Sequence, residues 1–253
     1  MSDEESTGIY DAGDIYDAIY DGRGKDYRAE SEAVTRHIRD RHPGAASLLD
    51  VGCGTGGHLR HFAEDFTHVE GVDLTEGMLA VARRALPHIP VHYGDMRSFE
   101  RGRRYDAVVS LFCAIGNLLG QDELDSAIAE FERHLEPGGV VVVEPWWFPE
   151  NFTPDHVGSS LTTGDGRTIA RVSHSVRESD SASRMDIHYL VAEPGKGVRH
   201  FSDTHVNSLY SYEQFGRAFS RAGLSMEHVA GDYPGNGLFI GVKPRVAPAG
   251  EWT

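Results

Sequence analysis

Apolar positions follow two different rhythms along the chain. From about Ser47 to Glu144, short continuous apolar runs bounded by Gly, Asp or Pro read as buried strands: "ASLLDVG", "HVEGVDL", "PVHYGD", "YDAVVSLF" and "GGVVVVEP". Between them, "GGHLRHFAEDF", "TEGMLAVARRAL" and "DELDSAIAEFERHL" repeat apolar residues every three and four positions and predict helices. Thr75 is a candidate N-cap for the second, and "EPGG" is a stop for the third. Strands alternating with helices of this length imply right-handed βαβ units, hence a doubly wound parallel sheet.

After "EPWWFPENFTP" the rhythm changes. The runs "RTIARVSHSVR", "RMDIHYLVA" and "DTHVNSLYS" are alternating or β-rich and are separated by Gly, Ser and Asp clusters, which predicts an antiparallel insertion over about 146–208. "YEQFGRAFSRAG" reads as a helix closed by Gly223, and "SMEHVAGDY" and "GLFIGVK" as strands that rejoin the main sheet. The expected organisation is a core at 46–145, the insertion at 146–208, a completing helix and strands at 209–243, and a flexible polar tail at 244–253.

Composition narrows the chemistry. The 253 residues, 40% hydrophobic, suffice for one core with a small lobe, and Asp+Glu 39 against Lys+Arg 24 leaves a formal charge of -15. Such a chain repels a phosphate backbone, so nucleic acid is excluded as a partner, and "RGRR" at Arg101 to Arg104 is read as a solvated turn. Cys53 and Cys113 share no motif spacing, which argues against a disulfide framework or zinc site and fits a reducing cytoplasmic setting. The acidic "MSDEESTG" start and the lack of a long apolar run argue against a signal peptide or membrane span.

The stretch "LLDVGCGTGGHL" carries the strongest signal. Gly52, Gly54 and Gly57 match G-x-G-x-x-G, while Gly52, Gly54 and Gly56 match the tighter G-x-G-x-G. Asp50, just before them, penalises a pyrophosphate there and favours a ligand carrying an ammonium or sulfonium. Asp73, about twenty residues on, is placed to accept from two ribose hydroxyls; Asp95 in "YGDMRSF" suits an adenine amine, with Met96 against the ring. Adenine, ribose and a cationic tail fit all three strand ends.

"LLDVGCGTG", "GVDL", "GDMRSF" and "EPGGVVVVEP" resemble the motifs of class I S-adenosylmethionine-dependent methyltransferases. Adding "GRGKDY", "LFCAIGNL", "VVVVEPWWFPENFTP", "RVSHSVR", "IHYLVA" and "GLFIGV", nearly the whole chain resembles the dTDP-aminosugar N,N-dimethyltransferases. This implies a Rossmann-like, seven-stranded, mostly parallel sheet with an antiparallel β insertion, and S-adenosylmethionine as cofactor. The resemblance assigns Asp50, Gly52, Cys53, Gly54, Thr55, Gly56, His58, Asp73, Leu74, Met78, Asp95, Met96, Leu111 and Phe112 to the cofactor. It makes 1–45 a helical lid in which Tyr10 and Tyr16 approach the sulfonium, a cation–π arrangement, and Lys25 meets the cofactor carboxylate. Tyr16 and Tyr20 also have the spacing of a packed helix face.

The implied substrate is a nucleotide-linked aminosugar whose neutral amine attacks in line, so that proximity replaces an indispensable general base. Two departures from the family stand out: "IGNL" puts Asn117 where a histidine is common near the amine, and "GNGLF" puts Asn236 where an arginine is common. Either the amine then sits at a different ring carbon, or another basic residue such as Arg171 or Arg177 carries the diphosphate. The remaining candidates for the acceptor are Tyr10, Glu144, Trp146, Trp147, Phe148, Ser173, His174 and His188; the two histidines lack a ligand cluster, so no metal is expected. Competing readings are a nicotinamide oxidoreductase, a non-catalytic S-adenosylmethionine-binding protein, and a methyltransferase for another amine or a glycosylated product. A homodimer is expected by default.

Overall fold

The computed structural model describes residues 8–164, 166–231 and 233–245. The acidic start and most of the expected tail lie outside these residues.

Seven strands form the main sheet: β1 (Ser47–Val51), β2 (His68–Asp73), β3 (Val91–Tyr93), β4 (Tyr105–Ser110), β5 (Leu135–Val143) and, after a second sheet, β10 (Glu227–Val229) and β11 (Leu238–Val242). Their order is β10-β11-β5-β4-β1-β2-β3, parallel except that β11 runs antiparallel to β5 and to β10. The chain builds outward from β1 to β3 and then returns to β4 on the other side of β1. That reversal is the switch point where open α/β sheets leave a crevice.

The continuous apolar runs follow from burial on both faces. Leu49, Val51, Val108, Val141 and Val143 enter one hydrophobic cluster, while Leu48, Ala107, Val109, Val140 and Val142 enter the other. Helices α2 (Tyr27–Arg41), α3 (Leu59–Asp65), α4 (Glu76–Ala85), α5 (Gln121–Arg133) and α6 (Tyr212–Arg221) cover the faces; α1 (Gly13–Gly22) and a 3₁₀ turn at Ile9–Asp11 precede them. Helix α6 ends as expected at Gly223, whose φ is +73°, with Leu224 N–H returning to Phe219 O at 3.0 Å.

The second sheet is antiparallel, in the order β6 (His156–Gly164), β7 (Arg167–Ser179), β8 (Ala182–Glu193), β9 (Gly197–Ser208). Ile169, Ile187, Tyr189 and Val191 point inward and pack with Ile9, Ile15 and Ile19, so the N-terminal segment forms the layer on this face. Val172, His188 and Leu190 point to solvent.

Local signals failed at four places. Strand β6 was not among the expected runs, because "HVGSSLTTG" is a polar edge strand with weak alternation. "EPGG" does not stop α5: the helix ends at Arg133, and these residues are already in β5. Thr75 occupies the N-cap position of α4 without capping through its side chain; its N–H donates to Asp73 Oδ1 instead, at 2.8 Å. Arg101 is not simply solvated, since its guanidinium pairs with buried Glu70 at 2.9 Å. Both cysteines are free, and no helix among the described residues is long and apolar enough to cross a membrane.

Candidate active site

A cleft of about 370 Å³ opens at the switch point, against the carboxyl ends of β1, β2, β3 and β4. Its floor is the turn after β1. Gly52, Gly54 and Gly56 have φ of +82°, +55° and +86°, so the G-x-G-x-G template describes the backbone requirement. Gly57, the third glycine of the looser template, is instead kept small by packing: a Cβ there meets the Tyr27 ring at 2.7 Å. At Gly54 the space a Cβ would occupy is open, leaving the backbone exposed to whatever fills the cleft.

Asp73 ends β2 and ties the turn down, because its Oδ2 accepts from Gly54 N–H at 2.8 Å and its Oδ1 from Thr75 N–H. Burial raises its carboxyl, with those backbone donors pulling the other way. The carboxylate faces the cleft with capacity left for vicinal hydroxyls. Asp95 lines the far end, yet its oxygens are already engaged by Arg97, at 2.9 to 3.1 Å through Nε, and Arg97 reaches on to Glu123. Arg97 holds the Asp95 carboxyl below its ordinary range. Met96, Leu74 and Met78 supply apolar wall.

The wall after β4 is strained. Phe112 and Cys113 have φ of +51° and +61°, a region non-glycine residues seldom occupy. Buried Glu144 holds them: its Oε2 accepts from Phe112 N–H at 2.5 Å and from Tyr233 O–H at 2.8 Å, and Cys113 Sγ lies 3.4 Å from Oε1. The lid side is aromatic. Tyr10 and Tyr16 line the cleft, and Tyr16 packs on Tyr20 at 4.6 Å, which meets Phe112 edge-on at 4.8 Å. Burial pushes the Tyr10 and Tyr16 hydroxyls well up, so both stay protonated near neutrality. Asn117 also lines the cleft; its Nδ2 donates to Ala114 O, and its Oδ1 accepts from Asn207 Nδ2, both at 3.2 Å.

Fifteen of the residues singled out from sequence meet at this cleft: Tyr10, Tyr16, Gly52, Cys53, Gly54, Thr55, His58, Asp73, Leu74, Met78, Asp95, Met96, Leu111, Phe112 and Asn117. Others do not. Asp50 is buried behind the turn, its Oδ2 without a partner, and burial with the nearby Asp73 carboxylate pushes it up to about 8. Gly56 packs towards Leu86. Lys25 is not among the lining residues: its Nζ lies 3.8 Å over the Phe112 ring and pairs with Glu30 at 2.7 Å, and Glu30 also takes buried His58 at 2.8 Å.

On the acceptor side the departures are larger. Glu144 is occupied as described, Phe148 is buried in the main core against Phe239, and Trp147 is a surface residue. Trp146 packs on Gly116, and its carbonyl accepts from the Asn236 amide at 3.2 Å. Arg177 donates to Pro149 O at 2.7 Å. His174 and His188 lie on the solvent face of the second sheet; His188 stacks on His200. Arg171 and Ser173 face inward: Arg171 is 7% exposed and donates to Ser173 Oγ at 2.9 Å, with no carboxylate paired to it among the described residues. The sequence reading missed Tyr27, Arg97 and Glu123, which also line the cleft; Arg97 was visible within "GDMRSF", whereas Glu123 arrives from α5 with no local signal.

A doubly wound sheet with a glycine turn of this shape, an acidic residue ending β2 and a second ending β3 defines a class I S-adenosylmethionine-dependent methyltransferase. Residues 48–139 match the "Methyltransferase domain" family model. The chain is 53% identical over 232 residues to dTDP-3-amino-3,4,6-trideoxy-alpha-D-glucopyranose N,N-dimethyltransferase of Streptomyces venezuelae, covering 92% of this chain and 98% of that protein. It is 51% identical over 229 residues to dTDP-3-amino-3,6-dideoxy-alpha-D-glucopyranose N,N-dimethyltransferase of Streptomyces fradiae, covering 90% and 89%. The solved structure of SAM-bound CalS10, an amino pentose methyltransferase from Micromonospora echinaspora, is similar at 45% identity and a TM-score of 0.83, covering 90% of this chain and 96% of that one. The chain belongs to the dTDP-aminosugar N,N-dimethyltransferase family, and its cofactor is S-adenosylmethionine. The open backbone at Gly54 and the carboxylate ending β2 suit that cofactor.

Proposed function

We propose that the protein dimethylates the 3-amino group of a dTDP-linked deoxysugar. The similarity to two enzymes named for 3-amino substrates carries this reading, because it runs over nine-tenths of the chain and so includes the second sheet. When bound, S-adenosylmethionine supplies a methyl group that an amine lone pair can take in line. Gly52 to Thr55 hold its methionine portion, Asp73 its ribose hydroxyls, and Asp95 with Met96 its adenine. Asp95 would then share its oxygens between Arg97 and the adenine amine.

The protein's remaining work is placement. Tyr16, Tyr20 and Phe112 exclude water, and a dry pocket favours the neutral amine that has a lone pair to give. Protonated Tyr10 and Tyr16 are unsuited to act as phenolate bases, so they orient the amine by hydrogen bonding, as does Asn117 in place of the histidine common in relatives. Holding two reactants in line is worth up to about 7–11 kcal/mol of a barrier, which leaves little for a base to add.

Arg171 fits the diphosphate of the carrier. A buried guanidinium without a carboxylate is costly unless an anion reaches it, and Asn236, spent on the Trp146 carbonyl, is neutral. The test is mass spectrometry of dTDP-linked 3-amino and 4-amino deoxysugars incubated with the protein and S-adenosylmethionine. Two added methyl groups, about 28 mass units, on a 3-amino member support the proposal; gain only on a 4-amino member moves the amine, and no gain on any member overturns it.

A further inference from the structure

Strand β9 presents three inward positions in its alternation, and each grips a different piece of the cleft. Asp203 Oδ2 accepts from Ile9 N–H at 2.9 Å. The His205 ring stacks on Tyr10 at 5.1 Å with an interplanar angle of 12°. Asn207 donates to Asn117 at 3.2 Å. Asp203 and His205 are joined to each other, Oδ2 to Nε2, at 3.2 Å.

We propose that Asp203 and His205 are positioning residues: they form the dock that closes the N-terminal segment over the cleft and sets the Tyr10 ring at the place of methyl transfer. The same strand face fixes Asn117 through Asn207, so lid and post-β4 turn are held on one rigid ruler with steps of about 7 Å between alternate residues. The dock is specific to backbone and ring. Ile9 donates through its main chain, its side chain is buried with Ile187 and Tyr189, and a Cβ on Gly8 would come within 3.1 Å of Asp203 Oδ2. His205 does not itself line the cleft, so it acts through Tyr10. The consequence for catalysis rests on the proposed amine methylation; the closure of the segment does not.

The experiment compares His205→Ala, His205→Phe and Asp203→Asn in two ways. Amide hydrogen exchange of residues 8–22 needs no acceptor, and steady-state kinetics use the aminosugar found above. His205→Ala and Asp203→Asn should raise exchange in this segment alone. His205→Ala should also cut kcat by about tenfold to a hundredfold, the scale of a small misplacement, with a much smaller change in acceptor KM. His205→Phe, which restores a ring for Tyr10 to stack on, should recover most of that loss. Unchanged exchange in both His205→Ala and Asp203→Asn, or no recovery in a folded His205→Phe, overturns the proposal. Raised exchange in a protein that methylates no dTDP-sugar keeps the dock and discards the acceptor reading.

Discussion

The two sheets solve different problems. The seven-stranded sheet is buried on both faces and meets the cleft only at its strand ends, where turn backbone and short acidic side chains line it. The four-stranded sheet has one face under the N-terminal segment and one open to solvent, where Val157 and Leu161 are 67% and 70% exposed. Its contribution comes from side chains on the covered face, namely Arg171, His205 and Asn207. In the proposed function the first sheet would hold the cofactor and the second would meet the acceptor, so a change on one need not disturb the other.

The sharpest way to break that separation is Gly54→Leu. The site tolerates a Cβ, with modest strain of about 1–2 kcal/mol at φ +55°, but the rest of the side chain enters the cleft. We expect a folded protein whose S-adenosylmethionine affinity by calorimetry drops at least about a hundredfold; undiminished binding would mean that the cofactor does not lie on this turn.

Arg171→Met tests the other sheet. Losing charge-assisted bonds to a diphosphate costs about 1.5–3 kcal/mol, so acceptor KM should rise about tenfold to a hundredfold, while cofactor affinity stays the same.

Asp50 bears on stability instead of on either ligand. Because its carboxyl is pushed up to about 8, the folded chain keeps a proton that the unfolded chain releases near its ordinary value of about 3.9. Its contribution is complete below the unfolded value and drains away as pH rises towards the folded one. Wild-type melting temperature should therefore fall between about pH 4 and pH 8 by on the order of ten degrees more than that of Asp50→Asn, which stays neutral throughout. Parallel melting curves would show that Asp50 does not titrate in this range. Smallest of all, His174→Ala lies on the solvent face near Asp155 and should leave acceptor KM and melting temperature unchanged within error.

Legibility tracked the same division. The main sheet was readable because burial on both faces turns each strand into an apolar run, and because a turn with three positive φ values demands glycine at Gly52, Gly54 and Gly56. The second sheet was readable where one covered face produces alternation, as in "RTIARVSHSVR", and unreadable at β6, whose serines and threonines satisfy an edge strand equally on either face. Glu144, Trp146, Phe148 and Arg177 were chosen by residue type alone, and in the structure Glu144, Trp146 and Arg177 hold neighbouring loops while Phe148 packs in the core.

By itself, then, the sequence determined the element order, the doubly wound core, and the cofactor-binding turn with its acidic partners, because these depend on backbone geometry and on spacings within one βαβ unit. Only the tertiary structure decided which polar side chains face the cleft, because that depends on partners far apart in the chain. Asn236 is claimed by the Trp146 carbonyl, ninety residues away, and Tyr10 comes to rest on His205, nearly two hundred residues away. No local pattern encodes such pairings, and that of Tyr10 with His205 exists only once the second sheet has folded against the N-terminal segment.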